Sequence, residues 1–153
     1  MQTETMQLRE LTVRYSVRKD GDGRPVVIGR ELGNQKDAAA AFMMMLGDEP
    51  AEVFAMLCLT TKHRVIAYHE VSRGTLDSTL VHPREVFKAA LLANSAALVI
   101  SHNHPSGDPT PSADDVVLTT RLVAAGEILS IPVLDHIIIG DGRYYSFKEA
   151  GRI

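Results

Sequence analysis

The chain has 153 residues with a formal net charge of -3; 45% are hydrophobic and 23% charged, a mixture that fits one globular domain with a real core and excludes wholesale disorder. The acidic balance excludes a global electrostatic attraction to nucleic acid. No apolar run approaches the roughly 20 residues that cross a bilayer, "MQTETMQLRE" is no secretory leader, and the single cysteine, Cys58, excludes an intrachain disulfide, so a cytoplasmic protein is expected.

In chain order, "LRELTVRYSVR" (8–18) alternates in part and is rich in Val, Thr and Tyr, predicting a strand. "KDGDGRP" reads as a turn and "VVIG" (26–29) as a short returning strand. "NQKDAAAAFMMML" (34–46) predicts a helix stopped by Gly47, with the Met run filling core. "EVFAMLCLTT" (52–61) predicts a strand buried on both faces, with Cys58 as a small core residue, and "RVIAYHEVSRG" (64–74) the strand that returns from it. "LVHPREVFKAALLAN" (80–94) predicts a helix with Pro83 in its first turn and His82 at its start, in a capping or packing role. "AALVISH" (96–102) is a strand, Ser112 to about Leu129 a helix, "IPVLDHIIIG" (131–140) a strand, "DGR" a turn and "YYSF" (144–147) a last strand. Asp135 and His136 read as a buried polar contact near a strand centre, and His63 and His69 as solvated. This order predicts an α/β or α+β layered sandwich, a mixed sheet flanked by helices. Residues 1–33 are an N-terminal strand or hairpin extension and 34–153 the main domain of a single compact unit.

Chemistry concentrates in "SHNHPSGDPTPSADD" (101–115). His102 and His104 straddle one residue at a strand end, where extended backbone turns i and i+2 to the same side, so two imidazoles can converge on one ion. Asp115 follows in the first turn of the next helix, and the Pro/Gly/Ser loop is long enough to fold it back. Two His and one Asp would leave a fourth position for water, as catalytic zinc requires. A plainer reading stands beside this one. Ser112-Ala-Asp-Asp115 is also a capping-box pattern, His102 and His104 could be polar loop residues, and Asp108 in "SGDPTP" reads as a turn residue. Other metal signatures fail. The chain lacks the P-C-x-x-C of zinc deaminases, and Arg73 stands where H-E-x-x-H would need its second histidine. The letters "HNH" do not make the nuclease of that name, whose residues are spread along a ββα unit.

His102-Asn-His104-Pro105, six further residues and then Ser112-Ala-Asp-Asp115 fit the pattern H-x-H-P-x(6)-S-x-x-D. With "RGTLDSTLVHPREVFKAAL" and "VLDHIIIGDGRYYSF", the chain resembles, from about residue 37 to its end, the RadC branch of the JAB/MPN metalloproteases that carry this JAMM motif. The resemblance implies a JAB/MPN, cytidine deaminase-like architecture over 34–153. It implies one zinc ion held by His102, His104 and Asp115 with a water as fourth ligand. It also implies that Glu52, in "PAEVFAML", moves that water's proton to the leaving amine, and that Ser112 stabilises the oxyanion. The activity implied is zinc-dependent hydrolysis of a peptide or isopeptide bond in an unknown peptide or protein substrate.

Longer RadC proteins carry an N-terminal helix-hairpin-helix segment associated with DNA. Residues 1–33 look strand-like and too short for one, which weighs against direct DNA binding and suggests a compact, single-domain relative. The alternative function is a non-catalytic accessory module for DNA repair or recombination that uses the JAB fold to bind protein or DNA. Arg14, Arg18, Lys19 and Arg24 could form a basic face for it, although a solvated hairpin edge accounts for them as well.

Overall fold

The computed structural model describes residues 28–74 and 81–153; the strand expected over 8–18 and the turn after it lie outside the described residues. The elements are α1 (Gln35–Leu46), β1 (Val53–Leu59), β2 (Val65–Arg73), α2 (Pro83–Leu92), β3 (Ala97–Asn103), α3 (Ala113–Leu129), β4 (Val133–Gly140) and β5 (Arg143–Ser146). From α1 onward this is the predicted order, and the fold is the expected α+β layered sandwich. At the front, Ile28 and Gly29, the described half of "VVIG", form a turn with Gly29 at φ 82°, Gly29 and Arg30 exchange backbone bonds with Val65, and Glu31 bridges Arg64; residues 26 and 27 lie outside the described residues.

The strands form one sheet in the order β2-β1-β3-β4-β5, in which β3 and β4 are parallel and the other neighbours antiparallel. A strand presents alternate residues to opposite faces, and here each face has its own cover. Val53, Ala55, Leu57 and Leu59 of β1 pack with Ala38, Phe42 and Leu46 of α1. Phe54, Met56 and Cys58 of the same strand pack with Val86 and Phe87 of α2 and Leu118 and Leu122 of α3. All seven β1 residues are buried, as their unbroken apolar run predicts. Each enclosed Leu or Phe contributes roughly 1.5–3 kcal/mol relative to exposure. Cys58 is a free, buried thiol, pushed above its ordinary pKa by burial.

α1 starts where the Asn34 side chain accepts from the Asp37 amide at 3.0 Å. Met43 and Met45 pack on the core as expected, but Met44 points away and is 63% exposed, because three consecutive helical residues cannot share one face. His82 holds the N-cap position of α2, yet its side chain makes no capping bond; Pro83 sets the first turn. His63 and His69 are both exposed. Among the described residues, no helix is long and apolar enough to cross a membrane.

The parallel pair β3-β4 is joined through α3. The helix therefore begins at the C-terminal end of β3, the end at which open α/β sheets place their ligand sites. The loop over 104–111 lies against Gly140, where a Cβ would stand 2.7 Å from the Gly107 carbonyl oxygen. Only glycine permits that approach.

Candidate metal centre

Three segments meet at this end of the sheet. His102 and His104 turn to the same face of β3, as their spacing predicts. Glu52 lies two residues before Phe54, so it shares the face on which the Phe54 ring stacks on the His102 ring at 6.0 Å. Asp115 comes in from the first turn of α3. The imidazole Nε2 atoms of His102 and His104 are 3.0 Å apart. Asp115 Oδ1 is 3.2 Å from His102 Nε2, and Asp115 Oδ2 is 3.5 Å from His104 Nε2. Glu52 Oε1 is 3.9 Å from both nitrogens, and one atom each from Glu52, His102 and His104 falls within a 4.8 Å cluster that could hold a metal ion.

The two readings of Ser112 and Asp115 turn out to be compatible. The Asp115 amide donates to Ser112 Oγ at 3.1 Å, and the Ser112 amide donates to Asp115 Oδ2 at 2.7 Å, a complete capping box. That bond aims the carboxylate so that Oδ1 faces His102. Ser112 Oγ is used as an acceptor, and among the described residues no bond takes its hydrogen. Asp108 is the turn residue it resembles, with Oδ1 accepting from Thr110 Oγ1 at 2.7 Å and from the Thr110 amide at 3.0 Å. These bonds lower its carboxyl pKa.

The donor set suits a cation. The Asp108 carbonyl oxygen lies 2.7 Å from His104 Nδ1, and because a carbonyl only accepts, Nδ1 carries the proton. In the neutral ring, Nε2 is then a lone pair aimed at the other site atoms. Two imidazole nitrogens and two carboxylates converge from a 0%-exposed His102 and an 8%-exposed Asp115. Such N/O sets are what zinc and related divalent ions take. Burial alone would raise the Asp115 carboxyl, but the hydrogen bonds with His102 and then His104 outweigh it and hold the group far below the usual carboxylate range. The Asp115 carboxylate in turn raises His104 above the ordinary histidine value.

Residues 32–152 match the family model of the RadC-like JAB domain. The chain belongs to that family. It is 48% identical over 122 residues to a UPF0758 protein of Methanosarcina acetivorans, covering 80% of this chain and 53% of that one. It is 52% identical over 118 residues to a UPF0758 protein of Desulforamulus reducens (77% and 52% coverage) and 47% identical over 138 residues to one of Desulfitobacterium hafniense (90% and 59% coverage). The chain thus spans about half the length of the curated relatives it matches.

The RadC-like JAB domain also builds a support around these groups that the sequence reading did not assign. Asn103, between the two histidines, faces the other way. Its Oδ1 accepts from the Val53 amide at 2.8 Å, and its Nδ2 donates to the carbonyls of Ala51 and Glu49 at 3.0 and 3.2 Å. One side chain thereby fixes the backbone on both sides of Glu52. His136, fully buried, lies 2.9 Å from His102 Nδ1 and 2.6 Å from Thr119 Oγ1, with the Phe147 ring stacked on it at 5.0 Å. Burial, and then the neighbouring His102, lowers its pKa well below the ordinary value. His136 and Asp135 are buried and polar-bonded as predicted, but their side chains have different partners. Asp135 bonds Ser146 Oγ at 2.6 Å and the Lys148 amide at 3.0 Å.

Proposed function

We propose that this RadC-like JAB domain is a zinc-dependent hydrolase that cleaves a peptide or isopeptide bond. The observation that carries this reading is the meeting of two strand-end imidazoles with two carboxylates from separate segments, one carboxylate pre-aimed by the capping box. His102, His104 and Asp115 would hold the ion. Zinc, when bound, acidifies a coordinated water and polarises a substrate carbonyl. Glu52, whose Oε1 lies 3.9 Å from the Nε2 atoms of His102 and His104, would take a proton from the attacking water and return it to the leaving amine. Ser112 is exposed beside Asp115, and its hydroxyl hydrogen can be donated to the oxyanion that develops on the substrate. A cleft lined by Asp48, Glu49, Asn103 and Asp141 borders His104.

The first test is metal content of the purified chain. About one zinc per chain is expected, as for a single site of three protein ligands with one open position, with loss in both His104→Ala and Asp115→Ala. Retention of full zinc in Asp115→Ala would remove Asp115 from the ligand set and return it to capping alone. The second test is Glu52→Gln, read by metal content and by mass spectrometry of a peptide mixture incubated with the loaded protein. Zinc should stay while cleavage falls about 10²–10⁴-fold. Loss of zinc in that variant would make Glu52 a ligand instead. No zinc uptake by the unaltered chain, together with a salt-dependent affinity for DNA, would favour the accessory binding module.

A further inference from the structure

We propose that a cavity between α1 and the sheet binds a small organic cation, an ammonium or amidinium group on a compact apolar body, with the Asp135 carboxylate as its counter-ion. This site lies on the face opposite the two histidines and does not rest on the metal-site reading above.

The cavity has a volume of about 170 Å³, and its lining includes Leu32, Leu59, Val99, Leu134, Asp135 and Lys148. Leu32, Leu59 and Val99 belong to the core that packs with α1. Val99 and Asp135 are partners across β3 and β4. Leu59 ends β1 and Val99 stands early in β3, so the cavity lies at the end of the sheet away from His102 and His104. An apolar cavity of about 150 Å³ holds a benzene molecule. A guest of that size, with one polar group, matches both the space and the lining.

Asp135 decides what that polar group is. It is 3% exposed. Oδ2 accepts from Ser146 Oγ at 2.6 Å and Oδ1 from the Lys148 amide at 3.0 Å. Both donors are neutral. Among the described residues, no cation forms an ion pair with this carboxylate. Lys148 is exposed, and its charge is the weakest of the influences on Asp135, behind burial and the hydrogen bonds. Buried charges in proteins are ordinarily paired, because an ionised carboxylate taken out of water without a countercharge is costly. Burial accordingly raises the Asp135 carboxyl above its ordinary value. A carboxylate offers about four acceptor positions, and two are in use. An ammonium or amidinium seated in the cavity supplies the missing charge and the missing hydrogens together. A neutral guest leaves the charge uncompensated, and an anionic guest meets like charge.

The experiment uses the full chain, labelled with 15N and titrated near neutral pH with benzylamine, which is then an ammonium. Benzyl alcohol and benzoate are the neutral and anionic probes of similar shape. Amide shifts locate binding, and their titration curves give affinity. Benzylammonium should shift the amides of Leu134, Asp135 and Lys148. It should bind about 10–100-fold more tightly than benzyl alcohol, the margin of a charge-assisted over a neutral hydrogen bond, and benzoate should not bind. Asp135→Asn keeps the shape and removes the charge, so the preference for the ammonium over the alcohol should vanish. The comparison of probes on the unaltered chain stands even if that variant folds poorly. No binding of benzylammonium, equal affinities for the three probes, shifts confined to other residues, or a preference retained in a folded Asp135→Asn would each overturn the proposal. Nuclear Overhauser contacts from residues 1–27 to Leu134 in the free chain would also overturn it, since the cavity would then be filled by the chain itself.

Discussion

Asp135 and His136 are consecutive on β4, both buried, and they belong to different worlds. His136 touches His102 and Thr119 on the face covered by α2 and α3; Asp135 touches Ser146 and the Lys148 amide and takes no part in the cluster. The same contrast runs through the sheet. One face is an apolar seam against α1, while the other changes at its upper end from Phe54, Met56 and Ile100 to imidazoles and carboxylates. Strand parity therefore decides which polar residues can serve the site, and sequence adjacency does not.

Asn103 is the sharpest challenge to that division, because it has the wrong parity and still acts on the site through the backbone. Asn103→Ala strips the Val53 amide of its buried partner and removes a donor from the Ala51 and Glu49 carbonyls. The expected loss is about 2–3 kcal/mol in urea unfolding, the ordinary scale for orphaned buried polar groups. Zinc content should persist, since His102, His104 and Asp115 are untouched, while cleavage drops with the displacement of Glu52. Equal loss of zinc and cleavage would mean that Asn103 supports the whole strand end and has no separate hold on Glu52.

Gly140 tests the loop from the other side of β4. A methyl group there would press on the Gly107 carbonyl and Pro109, next to the Asp108 carbonyl that holds His104 Nδ1. Gly140→Ala should cost about 1–3 kcal/mol, as overpacking does, and weaken zinc binding measured by chelator competition. A destabilised chain with unaltered zinc affinity would show that the loop yields without moving Asp108.

How far the sequence carried follows from the reach of each interaction. His102 and His104 were legible because the two-residue period of a strand is local. Asp115 was legible because a capping box has a four-residue signature, although that signature could not say whether the carboxylate also faced the histidines; in the structure Oδ2 accepts from the Ser112 amide while Oδ1 faces His102. Asn103 was invisible because its partners lie about fifty residues away, and recognising them requires knowing that β1 pairs with β3. His136 was read as a buried polar residue but not as a neighbour of His102, since that contact depends on β3 and β4 being parallel neighbours. The Asp108 carbonyl has no side-chain signature at all. Met44 shows the opposite error, a local apolar run assigned to core when helical periodicity turns one of its members outward.

The smallest expected effect lies on the face opposite the site. Burial raises the Asp135 carboxyl above its ordinary pKa, opposed by bonds from Ser146 and the Lys148 amide. The folded chain then holds this proton more tightly than the unfolded chain, so stability from this group is fully present below the unfolded value and is lost as pH rises through the folded one. Asp135→Asn removes the titration and keeps hydrogen-bonding capacity, because the amide oxygen can accept from Lys148 and the Ser146 hydroxyl can turn to accept from the amide nitrogen. Urea unfolding of the two chains should differ least in acid and favour Asn increasingly as pH passes the aspartate range. Zinc affinity should not change at either pH, since the Asp135 side chain bonds Ser146 and the Lys148 amide and no imidazole nitrogen. A shift in zinc affinity would break the division between the faces and make β4 a conduit between them; a stability difference independent of pH would leave the division intact and show that the carboxylate is fully compensated by its two bonds.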